Sequence, residues 1–122
     1  MRGRALRTPE QRILAALAEI PAGRVTTYGV LGRRVGLPRH ARLVARVLGS
    51  LPAGSELPWH RVVAAGGRIA LPERSAARRE QLARLAAESV VVRNGRVNLE
   101  SNGWGGAADG LDRLLWGIPD ET

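Results

Sequence analysis

Few side chains in this 122-residue chain can make or break bonds. It has no cysteine, which excludes a thiolate nucleophile, a disulfide and a Cys-ligated metal. Its two histidines, His40 and His60, are too few for an all-His zinc site. His60 is a conceivable base for a hydrolase, yet no serine lies in a nucleophile motif to work with it. The densest stretch is Pro58-Trp59-His60-Arg61-Val62-Val63. The indole nitrogen's lone pair belongs to the ring π system and attacks nothing. Trp59 offers instead a broad flat surface that can line a pocket and stack on a base. Tyr28 is the only tyrosine and phenylalanine is absent.

Charge is the second chemical resource. The net charge is +8, and every one of the 19 basic residues is an arginine. Residues 1–50 hold ten of them, among them Arg39, Arg42 and Arg46, against Glu10 and Glu19. Residues 51–122 hold nine arginines and nine carboxylates, so the excess sits entirely in the first half. A basic lobe on a neutral body fits a polyanion, most simply nucleic acid. A module with no DNA role would leave that lobe unexplained.

The elements that must position these groups can be read in order. Residues 8–20 form an amphipathic helix with Thr8 as N-cap, Pro9 in the first turn and Gln11 closing a capping box. Ile13, Leu14, Leu17 and Ile20 face a core, and Pro21 and Gly23 end the segment. Thr27 opens a second helix over 28–35, which Gly36 ends. Residues 39–50 make a third helix with Leu43, Val44, Val47 and Leu48 inward and Arg39, Arg42 and Arg46 along one side. Ala41, Ala45 and Gly49 form a stripe of small residues beside them, fit for close approach to a partner or to the core. Helix, short Gly-containing turn, helix is a helix-turn-helix pattern.

Beyond the 51–60 loop, residues 61–71 read as a hairpin turning at Gly66-Gly67. Pro72 or Ser75 opens a helix to about Ala87, with Leu82, Leu85 and Ala86 inward. Residues 90–99 read as a hairpin around Asn94-Gly95, a type I′ turn signal. Residues 100–122 are Gly-rich and then LDRLLWGI, read as an extension of unknown role, which Leu114, Leu115 and Trp116 could pack. No apolar run is long enough for a membrane span and no secretory signal opens the chain, so a cytoplasmic location is the expectation.

The PWHRVV stretch, preceded by IPAGRVTTYG and by a helix carrying Ala41-Arg42 and Val44, resembles the DNA-binding domain of O6-alkylguanine-DNA alkyltransferases. The resemblance spans roughly residues 8–99. Those enzymes carry PCHRV, where the cysteine accepts the alkyl group; Trp59 stands in its place here. Tryptophan at that position marks the alkyltransferase-like proteins, which bind alkylated DNA and transfer nothing. The resemblance implies a mainly α fold with small β hairpins, a winged-helix-like helix-turn-helix domain of the alkyltransferase C-terminal type, over residues 1–99. It implies no cofactor and no metal, and a monomer bound to double-stranded DNA containing O6-alkylguanine, with nucleotide excision repair proteins as further partners.

The same resemblance implies roles. Tyr28 pushes the phosphate beside the target nucleotide, and Thr27 lies near the backbone. Arg42 enters the duplex and fills the gap left by the flipped base, with Ala41 and Ala45 allowing close approach in the minor groove. Leu48, Trp59 and Val62 line the lesion pocket. Pro58, His60, Arg61 and Glu88 are retained scaffold, a thiolate-tuning relay with no thiolate to tune. Two departures stand out. Arg46 occupies a position that is small in the family, where it either limits how deeply the helix enters the groove or reaches a phosphate. Leu71-Pro72-Glu73-Arg74 replaces a loop that contacts the flipped guanine in relatives, leaving Arg68 and Arg74 as candidates. The competing expectation is a helix-turn-helix regulator that binds DNA as a dimer without lesion specificity, and it leaves PWHRVV unexplained.

Overall fold

The computed structural model describes residues 7–106. Helix α1 spans Pro9–Leu17, and its capping box is complete: the Gln11 N–H donates to the Thr8 hydroxyl, and the Thr8 N–H donates to the Gln11 side chain. The helix stops at Leu17, short of the expected Ile20, because Ala18 and Glu19 already turn toward Pro21. Ile20 is still buried, delivered to the core by the turn.

Strand β1 is Thr26–Thr27 and leads straight into α2, Tyr28–Arg34. The Thr27 hydroxyl accepts the Val30 N–H and caps this helix. Gly36 sits at φ +80, the conformation that lets α2 end. Helix α3, Ala41–Gly49, crosses α2 closely at Gly32, where an added Cβ would lie 3.0 Å from the Leu37 carbonyl and 3.3 Å from a Val44 methyl. Arg39 is not on α3: with φ +64 it belongs to the turn before it, so the basic face of the helix itself is Arg42 and Arg46. Ile13, Leu17, Ile20, Leu31, Val44, Leu48 and Val62 form the core under these three helices.

The expected 61–71 hairpin is corrected. Gly66 and Gly67 do turn the chain, both at positive φ, but the flanking arms do not pair with each other over a ladder. Trp59–Arg61 is a 3-10 turn, and strand β2, Val62–Val63, pairs in parallel with β1, Thr26 opposite Val62 and Thr27 opposite Val63. The outgoing arm turns to the second hairpin instead, through an Arg68–Arg96 bridge and an Ile69 N–H bond to the Gly95 carbonyl. Glycine is required at position 67, since a Cβ there would run into the Val97 carbonyl oxygen.

Helix α4 spans Ala76–Ala87 with Ser75 as N-cap. Leu85 is fully buried, but Ala86 is exposed, and buried Gln81 takes the inward place one turn before Leu85. Strands β3, Val92–Arg93, and β4, Arg96–Val97, form the expected hairpin around Asn94-Gly95, both at positive φ. Val25, Val63, Ile69, Leu85, Val90 and Val97 make a second core beneath it.

Asn98 caps a last turn, α5, Leu99–Asn102. The chain then returns to β1: the Val25 N–H donates to the Asn102 carbonyl and the Trp104 N–H to the Val25 carbonyl. The Arg34 guanidinium lies 4.5 Å from the Trp104 ring centroid. The LDRLLWGI stretch, with Leu114, Leu115 and Trp116, lies outside the described residues.

Candidate nucleic-acid interface

Parallel pairing of β1 with β2 fixes the site. Each strand abuts one aromatic: Tyr28 follows β1 directly, and Trp59 opens the 3-10 turn that leads into β2. Both line one cleft of about 500 Å³. The cleft is walled by Ala45, Leu48 and Gly49 of α3, by Leu51 to Gly54 of the following loop, and by Leu71. Ala76, Ala77, Glu80 and Arg84 of α4 complete it. It is mostly apolar, open on one side, and large enough for a planar heterocycle.

The lining answers the expectations residue by residue. Trp59, Leu48, Tyr28 and Ala45 are on the wall. Val62 is not: it is fully buried, packs in the core and pairs with Thr26. Thr27 is 1% exposed, and its hydroxyl accepts the Val30 N–H and caps α2, directly before Tyr28. Arg42 and Arg46 are exposed on α3, and among the described residues neither pairs with a carboxylate. Ala41 and Ala45 are half-buried beside them. One face of α3 therefore presents unpaired guanidiniums, and Ala45 beside them lines the apolar cleft, whereas Ala41 does not.

Arg84 was not foreseen as part of the site. Its guanidinium lies 5.5 Å from the Trp59 ring centroid and is held by Glu80, one turn earlier, at 2.8 Å. It also donates to the Ser55 carbonyl at 3.4 Å, tying the 52–57 loop to α4. The only sequence signal was the Glu80–Arg84 spacing, which reads as an ordinary surface pair.

Behind the cleft lies a polar knot. Arg61 donates to both Glu88 carboxylate oxygens, and a further guanidinium nitrogen donates to the Ile20 carbonyl at 2.7 Å. Glu88 also accepts the Gly23 N–H at 3.0 Å and the His60 Nε2–H at 2.8 Å. Burial alone would raise the Glu88 carboxyl; these donors, Arg61 foremost, outweigh it and hold the group at about 2. Burial holds the His60 imidazole below its ordinary value, against the opposing pull of Glu88. An ionised Glu88 can only accept, so the His60 Nε2 carries the proton of their shared bond. Gln81 completes the support, donating to the carbonyls of His60 and Val62 at 3.2 Å each. Pro58 is buried at the head of the turn, and its carbonyl accepts the Arg61 N–H. Pro58, His60, Arg61 and Glu88 join the segments at 20–23, 58–63 and 88 into one rigid backing for Trp59.

At Tyr28, burial pushes the phenol up, partly offset by the positive charge of Arg68. Among the described residues no group of three His, Cys, Asp or Glu gathers as a metal would need.

Comparison with known proteins places this geometry. Residues 8–90 match the family model of the 6-O-methylguanine DNA methyltransferase DNA-binding domain. The chain is 45% identical over 95 residues to the DNA base-flipping protein of Escherichia coli (strain K12), covering 77% of this chain and 72% of that one. It is 40% identical over 94 residues to the DNA base-flipping protein of Vibrio parahaemolyticus, covering 76% of this chain and 92% of that one. Among solved structures, S. pombe Atl1 in complex with damaged DNA containing O6-carboxymethylguanine superimposes with a TM-score of 0.74 at 33% identity, covering 81% of this chain and 98% of that one.

Proposed function

Since the chain belongs to the family of the 6-O-methylguanine DNA methyltransferase DNA-binding domain, we propose that it senses O6-alkylguanine in duplex DNA by base flipping and transfers no alkyl group. One observation carries this reading: Trp59 lines an apolar cleft beside the unpaired arginine face of α3, and by its resemblance to PCHRV the PWHRV stretch puts Trp59 in the place of the accepting cysteine. Dealkylation needs a thiolate that attacks carbon and keeps it, and the chain has no cysteine. An indole at that position can hold a base but cannot accept its alkyl group.

Arg42 and Arg46 neutralise phosphates, and the small face of α3 enters the minor groove. Arg42 fills the stack as Tyr28 turns the nucleotide out. Extrusion costs a few kcal/mol and least for a weakly paired damaged base, which supplies part of the selectivity. Contact of the alkyl group with Trp59 and Leu48 supplies the rest. The lesion stays intact in a long-lived complex, and that complex is what nucleotide excision repair proteins would read.

The test is binding of paired oligonucleotides that differ by one O6-methylguanine, at two salt concentrations, with the adduct followed in parallel. The expected result is preference for the damaged duplex, a salt-dependent background on both, and an adduct recovered unchanged. Equal affinity for both duplexes, or loss of the methyl group from the DNA, would overturn the reading.

A further inference from the structure

The β3–β4 hairpin carries a row of like charges that its own folding does not call for. Val92 pairs with Val97, and both pack toward the second core. Side chains alternate along a strand, so Arg93 and Arg96, the next pair, stand on the opposite face, and both are exposed. Arg96 is bridged on its other side to Arg68. Residues directly opposite in neighbouring strands stand side by side, and like charges so placed destabilise the pairing. Three arginines, Arg68, Arg96 and Arg93, thus follow one another across three adjacent backbone segments. Among the described residues no carboxylate forms an ion pair with Arg93 or Arg96.

The row has a direction. Its inner end is Arg68, and the chain from Arg68 runs on to Leu71, which lines the cleft together with Tyr28. Its outer end is at the hairpin tip, where a tight turn fixes both strands. The hairpin is held rigidly to the body by the Ile69–Gly95 bond and by the close packing of Gly67 on Val97. A rigid strip of cations leading away from a base-sized cleft is shaped for a chain of anions that continues past the base.

We propose that Arg93 and Arg96 are a second phosphate-contact site, on which the β3–β4 hairpin follows the backbone of the same duplex beyond the flipped nucleotide. The inference rests on the DNA-binding reading above but adds a surface to it. The contacts are sequence-blind and lesion-blind, since guanidiniums on phosphates carry no base information. They lengthen the footprint and raise affinity for damaged and undamaged duplex alike.

The experiment is the salt dependence of binding to damaged and undamaged duplexes, for the wild-type protein, Arg93→Gln/Arg96→Gln and Arg93→Lys/Arg96→Lys. Each lost phosphate contact lowers the slope of log affinity against log salt by about 0.9. The glutamine pair is expected to lower it by about 1.8, weaken both duplexes by the same factor and leave their ratio unchanged. The lysine pair is expected to keep the wild-type slope, because lysine also serves as a point charge for phosphate. Relief of like-charge repulsion predicts a glutamine variant that melts no lower than wild type. An unchanged slope in the glutamine pair would overturn the proposal, even if binding to another polyanion such as heparin fell. A lowered slope in a protein whose wild type shows no lesion preference would sustain the arginine row and refute the lesion-sensing reading, so the two can fail separately.

Discussion

The Arg84 guanidinium lies 5.5 Å from the centroid of the Trp59 ring, in the wall of the same cleft. Arg84 thereby joins three walls: α4 through Glu80, the 52–57 loop through the Ser55 carbonyl, and the indole through its π face. A cation held over one region of an indole also polarises the surface on which a base would stack.

Replacing Arg84 with alanine is therefore expected to loosen the cleft without unfolding the protein. A cation–π contact of this exposure is worth about 0.5–1 kcal/mol, so lesion preference should fall about twofold to fivefold. Undamaged duplex should bind nearly as before. Titration of both duplexes checks this, and an unaltered ratio would remove Arg84 from the site.

Trp59→Ala removes the stacking surface itself. Base–aromatic stacking contributes about 1–3 kcal/mol, so the damaged duplex should lose about fivefold or more in affinity, approaching the undamaged one. Because Trp59 also packs against the core, a melting curve should accompany the titration. Weakening of both duplexes by one factor would place the lesion elsewhere.

Arg42→Ala should weaken both duplexes and the damaged one more, since the residue serves phosphate and stack together. Its side chain is exposed and unpaired, so the melting temperature should stay within about a degree or two. A variant that binds the lesion normally would show that α3 meets DNA by another face.

Acid should destabilise the fold through two groups acting in one direction. The Glu88 carboxyl is held at about 2, below its ordinary 4.5, so its contribution is complete above 4.5 and is lost as pH falls toward 2. His60 is held below its ordinary 6.5, so its contribution is complete above 6.5 and fades as pH falls through the lowered value. Glu88→Gln should cost about 3 kcal/mol or more at neutral pH, by leaving the Arg61 guanidinium without its carboxylate, and should flatten the acid limb. Denaturant melts from pH 7 to 3 report both, and an unchanged acid limb would show that the knot does not stabilise the fold.

The parts of the fold legible in sequence were those set by local chemistry. Thr8 and Gln11 announce their capping box by spacing alone, Asn94-Gly95 its turn, and Thr27 its helix start. Misreadings arose where distant segments decide. Gly66-Gly67 between apolar arms looks like a hairpin, but β2 finds a better partner in β1, and Arg68 finds Arg96. The pocket role of Val62 comes from the family resemblance alone; its side chain is fully buried in the core beneath the three helices. Gln81 reads as a surface helix residue, yet two backbone carbonyls of the 60–62 segment need its amide. Arg84 was hidden for the same reason, since the indole it covers comes from another part of the chain.

The pairing of Thr26–Thr27 with Val62–Val63 also bears on the order in which the molecule assembles. The two-residue ladder closes a long loop that contains both helices of the helix-turn-helix. Helix contacts within that loop are local and quick to form, whereas parallel closure must wait until the intervening chain has lost its freedom. The arginine face of α3 belongs to the early part; the juxtaposition of Tyr28 with Trp59 belongs to the late part. A chain with the ladder open would keep its arginine face while Tyr28 and Trp59 stood apart, so discrimination between bases depends on a two-residue ladder that binding to phosphates does not need.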